Sequence, residues 1–205
     1  MLTFVAAGLV ILLWFVNRDI LEMHMFKDPK YHSQSRKLID SDEYNVLTTF
    51  YTGGISQNGN MFDLISLGSN LKVYEFDIHT SSNSHIFYEV YTREGSYMGN
   101  EGSSSDWYLN SCDQSIVGNG LGVGTRIILQ SGTTLNDDGS YVRTPISINQ
   151  GETIGIYITT LVGGQSGNLV YSNDVLGNYF IEDSSLRLEA GAAVSYPFDA
   201  VFQKR

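Results

Sequence analysis

The stretch that decides the fold is Thr153-Ile154-Gly155-Ile156-Tyr157-Ile158-Thr159, in which isoleucine takes every second position. A period of two is that of a strand with one face buried. The same alternation runs through Ile86-Phe87-Tyr88-Glu89-Val90-Tyr91 and Leu186-Arg187-Leu188-Glu189-Ala190, and no helical stripe of comparable strength appears beyond the first fifty residues. In Leu71-Lys72-Val73-Tyr74-Glu75-Phe76-Asp77-Ile78 the apolar phase slips by one between Val73 and Phe76. An extra residue in a β-bulge near Tyr74-Glu75 would produce that slip. Turn signals at Gly53-Gly54, Asn58-Gly59, Glu94-Gly95, Asn119-Gly120, Asp138-Gly139 and Gly163-Gly164 cut the chain into short strands. The pattern predicts an all-β fold, an antiparallel, jelly-roll-like β-sandwich, over residues 46–205.

Ahead of this module, Leu2 to Val16 (LTFVAAGLVILLWFV) has no charge and one polar side chain, Thr3. A soluble amphipathic helix would not tolerate that over four turns. Fifteen residues of helix span about 23 Å, a minimal anchor or a signal h-region. The absence of a basic residue before it and of a small-x-small site after it favours an uncleaved anchor helix over residues 1–17. Residues 18–45 are polar and mixed in charge and read as a juxtamembrane linker. Arg18, Lys27 and Lys30 follow the apolar stretch, and their charge favours a cytoplasmic position for that side, against surface display.

The 205 residues carry a net charge of −10, the wrong sign for binding a phosphate backbone, so nucleic acid is excluded as the expected partner. From Val46 onward seven basic residues stand against 16 acidic ones. The single cysteine, Cys112, allows neither an internal disulfide nor a cysteine-built zinc site.

Asn58-Gly59-Asn60-Met61-Phe62-Asp63, Phe76-Asp77-Ile78-His79-Thr80, Glu89 to Gly99, Trp107, Gly151 to Thr159 and Tyr196-Pro197-Phe198 follow in an order that resembles a module of surface and secreted proteins of marine algae and bacteria, and more distantly the PHR-like jelly roll. The resemblance covers about Thr49 to Phe202. It implies an extracellular, non-catalytic sandwich with no assigned reaction. It also implies a further strand with an aromatic-Asn-Gly turn after Tyr196-Pro197-Phe198, where this chain ends at Gln203-Lys204-Arg205.

The residues that could carry chemistry also have plainer roles. The run Gly118-Asn119-Gly120-Leu121-Gly122-Val123-Gly124 lacks a Gly-Lys-Ser/Thr and leads into a strand, so it reads as a flexible loop and not a phosphate cradle. Asp63, Asp77, His79 and His85 contain the residue types of an acid–base or metal cluster. On an alternating strand, however, Asp77 and His79 share the solvent face opposite Phe76 and Ile78, and they can equally brace the loop Ser81–Ser84. Asn136-Asp137-Asp138-Gly139 reads as a hairpin turn. Calcium between loops, drawing on Asp113, Asp174 or Asp183, is the one cofactor the acidity suggests. No nucleophile elbow occurs, and no catalytic set or bound metal is expected. Tyr97, Trp107 and Tyr108, in turn-rich sequence, are the candidate ligand-binding residues, since flat aromatic faces stack on sugar rings.

The expected function is a membrane-anchored, surface-displayed binding, adhesion or structural module whose partners are the membrane and a glycan or surface protein. The alternatives are an extracellular polysaccharide hydrolase using paired carboxylates such as Asp63 and Asp77, and a jelly-roll shell subunit.

Overall fold

Short alternating segments separated by Gly-rich turns become strands throughout the computed structural model, which describes residues 13–16, 44–47, 55–162, 165–166, 169–171, 180–194 and 198. In chain order they are β1 (Leu13–Val16), β2 (Tyr44–Leu47), β3 (Ile55–Gln57), β4 (Gly59–Ser66), β5 (Leu71–Val73), β6 (Glu75–His79) and β7 (His85–Glu94). After these come β8 (Tyr108–Val117), β9 (Gly124–Ile128), β10 (Gln130–Leu135), β11 (Tyr141–Arg143) and β12 (Ile146–Ile148). The last are β13 (Thr153–Val162), β14 (Gln165–Ser166), β15 (Leu169–Tyr171), β16 (Phe180–Glu182) and β17 (Leu186–Val194). A single turn of 3-10 helix at Ser104–Asp106 is the one helical element among the described residues. The fold is all-β and antiparallel in its ladders, as the alternation predicts.

One sheet has seven strands, in the order β16-β17-β4-β13-β7-β8, with β14 pairing on β13. The Thr153–Thr159 stretch is central, paired with β4 on one side and β7 on the other. Its isoleucines point inward with Phe62, Leu64, Ile86, Tyr88, Val90, Leu186 and Leu188. The opposing layer supplies Leu71, Val73, Phe76, Ile78, Ile127, Leu129, Ile146 and Ile148 to the same core. These come from the sheet β12-β5-β1-β2 and the pair β6–β9, together with Leu129 just beyond β9. Phe62 and Phe76 meet edge to face across the two layers, with ring centroids 6.2 Å apart. Two faces sharing one apolar core make the arrangement sandwich-like.

The phase slip at Tyr74 is real, but its cause is not a bulge. β5 ends at Val73 and pairs with β12 and β1, whereas β6 starts at Glu75 and pairs with β9. Tyr74 is the residue at which the chain changes partner, and its carbonyl accepts the Leu129 N–H. A true bulge lies in β17, where the register on β4 shifts between Glu189 and Ala192.

The anchor helix expected through residue 17 is not seen. Leu13–Val16 form β1, antiparallel to β2, with Leu13 opposite Leu47 and Val16 opposite Tyr44, and Phe15 opposite Val73 of β5. A hydrophobic run this short can be a strand or a helix, and periodicity alone does not separate the two. Residues 1–12 and 17 lie outside the described residues, and among the described residues no helix is long and apolar enough to cross a membrane. β2 straddles the expected linker boundary at residue 45.

Candidate functional site

The outer face of the seven-stranded sheet carries a second, smaller apolar cluster of Met61, Tyr97, Trp107, Tyr157 and Val194, with Tyr91, Ala192 and Phe198 packed on it. Strand register builds it in rows. Met61, Tyr157 and Tyr91 stand side by side on β4, β13 and β7. Tyr91 stacks on Tyr157 at 5.6 Å, while Trp107 and Phe198 meet Tyr157 at steep angles, the geometry aromatic quadrupoles favour.

The neighbouring row is polar: Glu189, Asp63, Gly155 and Arg93 on β17, β4, β13 and β7. Gly155 has no side chain, so the chain leaving β7 can cross over it. A Cβ there would stand 2.8 Å from Arg93 Cγ and 2.9 Å from the Tyr97 backbone nitrogen. The Asp63 carboxylate reaches the crossing segment, accepting the Tyr97 N–H at 2.8 Å and the Ser96 hydroxyl at 2.5 Å. Arg93 donates to the Ser96 carbonyl and lies over the Trp107 ring, 6.0 Å from its centroid. The Trp107 indole N–H donates to the Asn100 carbonyl at 3.0 Å. Residues 95–107 thus form a loop clamped at its start by a buried carboxylate and at its end by a buried indole. Burial pushes the Asp63 carboxyl above the usual aspartate range, against the lowering effect of its two hydrogen bonds; Glu189 adds to the rise and Arg93 opposes it. Burial first, then the charges of Asp63, Glu101 and Glu189, push the Tyr97 hydroxyl up to about 12.

On the opposite layer Glu75, Asp77 and His79 lie on the side of β6 away from Phe76 and Ile78, as alternation predicts. That side is not the solvent face expected: Glu75 and His79 are buried and Asp77 is half-buried. Asp77 pairs with Arg126 directly across on β9 at 3.1 Å, and Glu75 is shared between Arg126 and Arg143, both at 3.4 Å. His79 is buried beneath the glycine loop and accepts the Gly122 N–H at Nε2 over 2.9 Å. Loop Ser81–Ser84 is braced by its own serines and Thr80, while His79 braces loop 118–124. That loop is held at its base as well. Gly118 and Gly120 donate to the Ser84 and Ser82 carbonyls, and the Asn119 N–H donates to Thr125 Oγ1.

Of the three aromatic residues expected to face a sugar, Tyr97 and Trp107 are 8% and 6% exposed and belong to the outer cluster, while Tyr108 is 68% exposed on the edge strand β8. They form no common open platform, because Tyr97 and Trp107 are buried in the outer cluster, where Trp107 meets Tyr157, while Tyr108 stands exposed apart from them. Turn-rich sequence marked the loop correctly but carried no information on which way its rings point. Asp63 and Asp77 do not converge either. Their neighbours Phe62 and Phe76 meet in the shared core, so the two carboxylates point out of opposite faces.

Asp138 accepts the N–H and hydroxyl of Ser140, which lower its pKa, and Asp183 accepts the N–H groups of Ser185 and Leu186. Both carboxylates brace turns. Among the described residues no group of three or more His, Cys, Asp or Glu is placed to hold a metal ion; the Asp113 side chain and Asp174 lie outside them.

Sequence reasoning missed Ser96 and Arg93, which complete the clamp. The signal was there: a glycine at 155, amid strand-forming residues, marks a close backbone approach. No family model, curated protein or solved structure matches this chain.

Proposed function

We propose that the protein is a non-catalytic binding or display module, a jelly-roll-like sandwich exposed at a cell surface, with a glycan or a surface protein as its partner. The observation that supports it is where the reactive side chains are spent. Asp63 and His79 hold loops, Asp138 and Asp183 hold turns, and Asp77 is paired to Arg126. Carboxylates and imidazoles that fix loop conformation supply the rigid presentation recognition needs, since a preorganised surface loses less entropy on binding. The acidic, Gly-turned composition fits an extracellular setting. Tethering through residues 1–17 would require β1 to leave its sheet, so the proposal rests on binding and not on an anchor.

The test is a panel of extracellular polysaccharides and a glycan array probed with the full chain, with and without a calcium chelator. Retention without release of new reducing ends is expected. Release of reducing ends would replace this reading with the hydrolase. Within the glycan version, Tyr108 is the one of the three candidates, Tyr97, Trp107 and Tyr108, that is exposed, and Tyr108→Ala is expected to weaken retention while leaving the fold intact.

A further inference from the structure

Loop 118–124 combines two properties that an ordinary hairpin connection does not have. Its apex presents Leu121 and Val123, 65% and 52% exposed, and the nine residues Val117–Thr125 contain no charge. The apex is also fastened from below by an imidazole acting as an acceptor. A histidine can accept at Nε2 only while that nitrogen carries no proton, so the ring proton sits on Nδ1. Gly120 and Gly122 both take positive φ, at 77°, which glycine adopts without strain, so the turn needs no distortion to present the Gly122 N–H to the ring.

We propose that His79 is a proton-operated clasp: its neutral ring holds the apex Leu121–Val123 through the Gly122 N–H, and protonation at Nε2 releases the apex while the base of the loop, Gly120 included, stays fastened. When a solvent proton binds Nε2, the lone pair that accepted the Gly122 N–H is used up. Two N–H donors then face one another, and the contact turns from attractive to repulsive. The bonds at the base involve serine and threonine oxygens and backbone carbonyls, none of which titrates in this range.

The charged groups around His79 do not take over the role. Asp77, two residues along β6, is paired to Arg126 of β9, and Glu75 lies a further step away between Arg126 and Arg143. His85 stands exposed at the start of β7, opposite Val117. β1 has no titratable side chain, and the sequence of β15, Leu169-Val170-Tyr171, contains no carboxylate, imidazole or amine. Burial lowers the His79 pKa, so the clasp is closed at neutral pH and opens only on acidification. The device holds whatever the loop binds, or if it binds nothing.

The experiment is amide hydrogen exchange and ring-proton NMR on the full chain, followed from about pH 8 down to about pH 4, across the histidine range. Losing one net hydrogen bond predicts that the protection of the Gly122 amide falls about five- to tenfold as the His79 ring resonances titrate. Protection of the Gly120 amide, bonded to Ser82, stays constant. His79→Gln, which offers an acceptor that does not titrate, should hold Gly122 at every pH. The proposal is overturned if Gly122 protection stays flat while the His79 ring titrates, if Gly120 and Gly122 lose protection together, or if the ring stays neutral down to acid unfolding. Should His79→Gln not fold, the wild-type comparison of Gly120 with Gly122 decides alone.

Discussion

Asp63 inverts the usual behaviour of a native-state aspartate. Most folded-state carboxylates are paired and have depressed pKa values, so proteins lose stability as these groups are protonated. Asp63 is buried on the outer sheet face, and desolvation outweighs the hydrogen bonds from Ser96 and Tyr97, leaving its pKa raised. The native state therefore holds this proton more tightly than the unfolded chain does. The stabilisation tied to it is fully present below the unfolded value of 3.8 and is lost as pH rises through the folded value. Asp63→Asn keeps an acceptor for the Tyr97 N–H and removes the titration. In urea unfolding, wild type should gain stability relative to Asp63→Asn as pH falls from neutral towards 4. A difference that shrinks on acidification would mean that hydrogen bonding, not burial, governs the group. The aromatic residues give a second test at this scale. Truncating Tyr97 or Trp107 to Ala empties the outer cluster and should cost about 3–5 kcal/mol, whereas Tyr108→Ala should change stability by no more than about 0.5 kcal/mol. Equal effects at the three positions would contradict their different burial.

At the scale of the element, β13 shows how propensity and packing separate. By strand propensity Gly155 is the weakest residue in Thr153–Thr159, and Val or Ala in its place should improve the strand. The crossing of residues 95–97 reverses that expectation, because any Cβ collides with the Tyr97 backbone. Gly155→Val should destabilise by about 1–3 kcal/mol, the range of overpacking, and lower the protection of the Tyr97 amide more than that of the β13 amides. A stabilised variant would show that the loop does not lie on the sheet. The central strands β7, β13 and β17 were legible because one face of each is buried and each is long enough for a period of two to stand out. β5 and β6 were legible as strands but not as members of different sheets, since a change of hydrogen-bonding partner and a bulge leave the same one-residue slip. The clamp on loop 95–107 was illegible for a different reason. Asp63 and Ser96 are 33 residues apart, and nothing local to either announces the other. His79 was legible as a residue on the side of β6 away from Phe76 and Ile78, while the loop it supports is set by the β6–β9 register, which only the assembled fold determines.

For the whole molecule, the open question of place concerns Leu13–Val16, whose side chains suit lipid and a sheet equally well on composition. In the fold they sit between β2 and β5, and among the described residues β2 has no other partner in that sheet. Removing them unpairs β2 entirely and leaves the β1 side of β5 open, an exposed edge of the kind that invites association. A chain lacking residues 1–17 is therefore expected to unfold at a lower temperature than the full chain and to aggregate more readily. If the same residues formed a separate lipid-embedded helix, the two chains would share one unfolding midpoint, and only their partitioning between membrane and soluble fractions would differ. Measuring midpoint and partitioning on the same pair of proteins separates the cases. A common midpoint with loss from the membrane fraction would restore the anchor and detach β1 from the fold. A lowered midpoint with unchanged partitioning would make the apolar opening part of the sandwich, so that any surface display must come from some other feature of the chain.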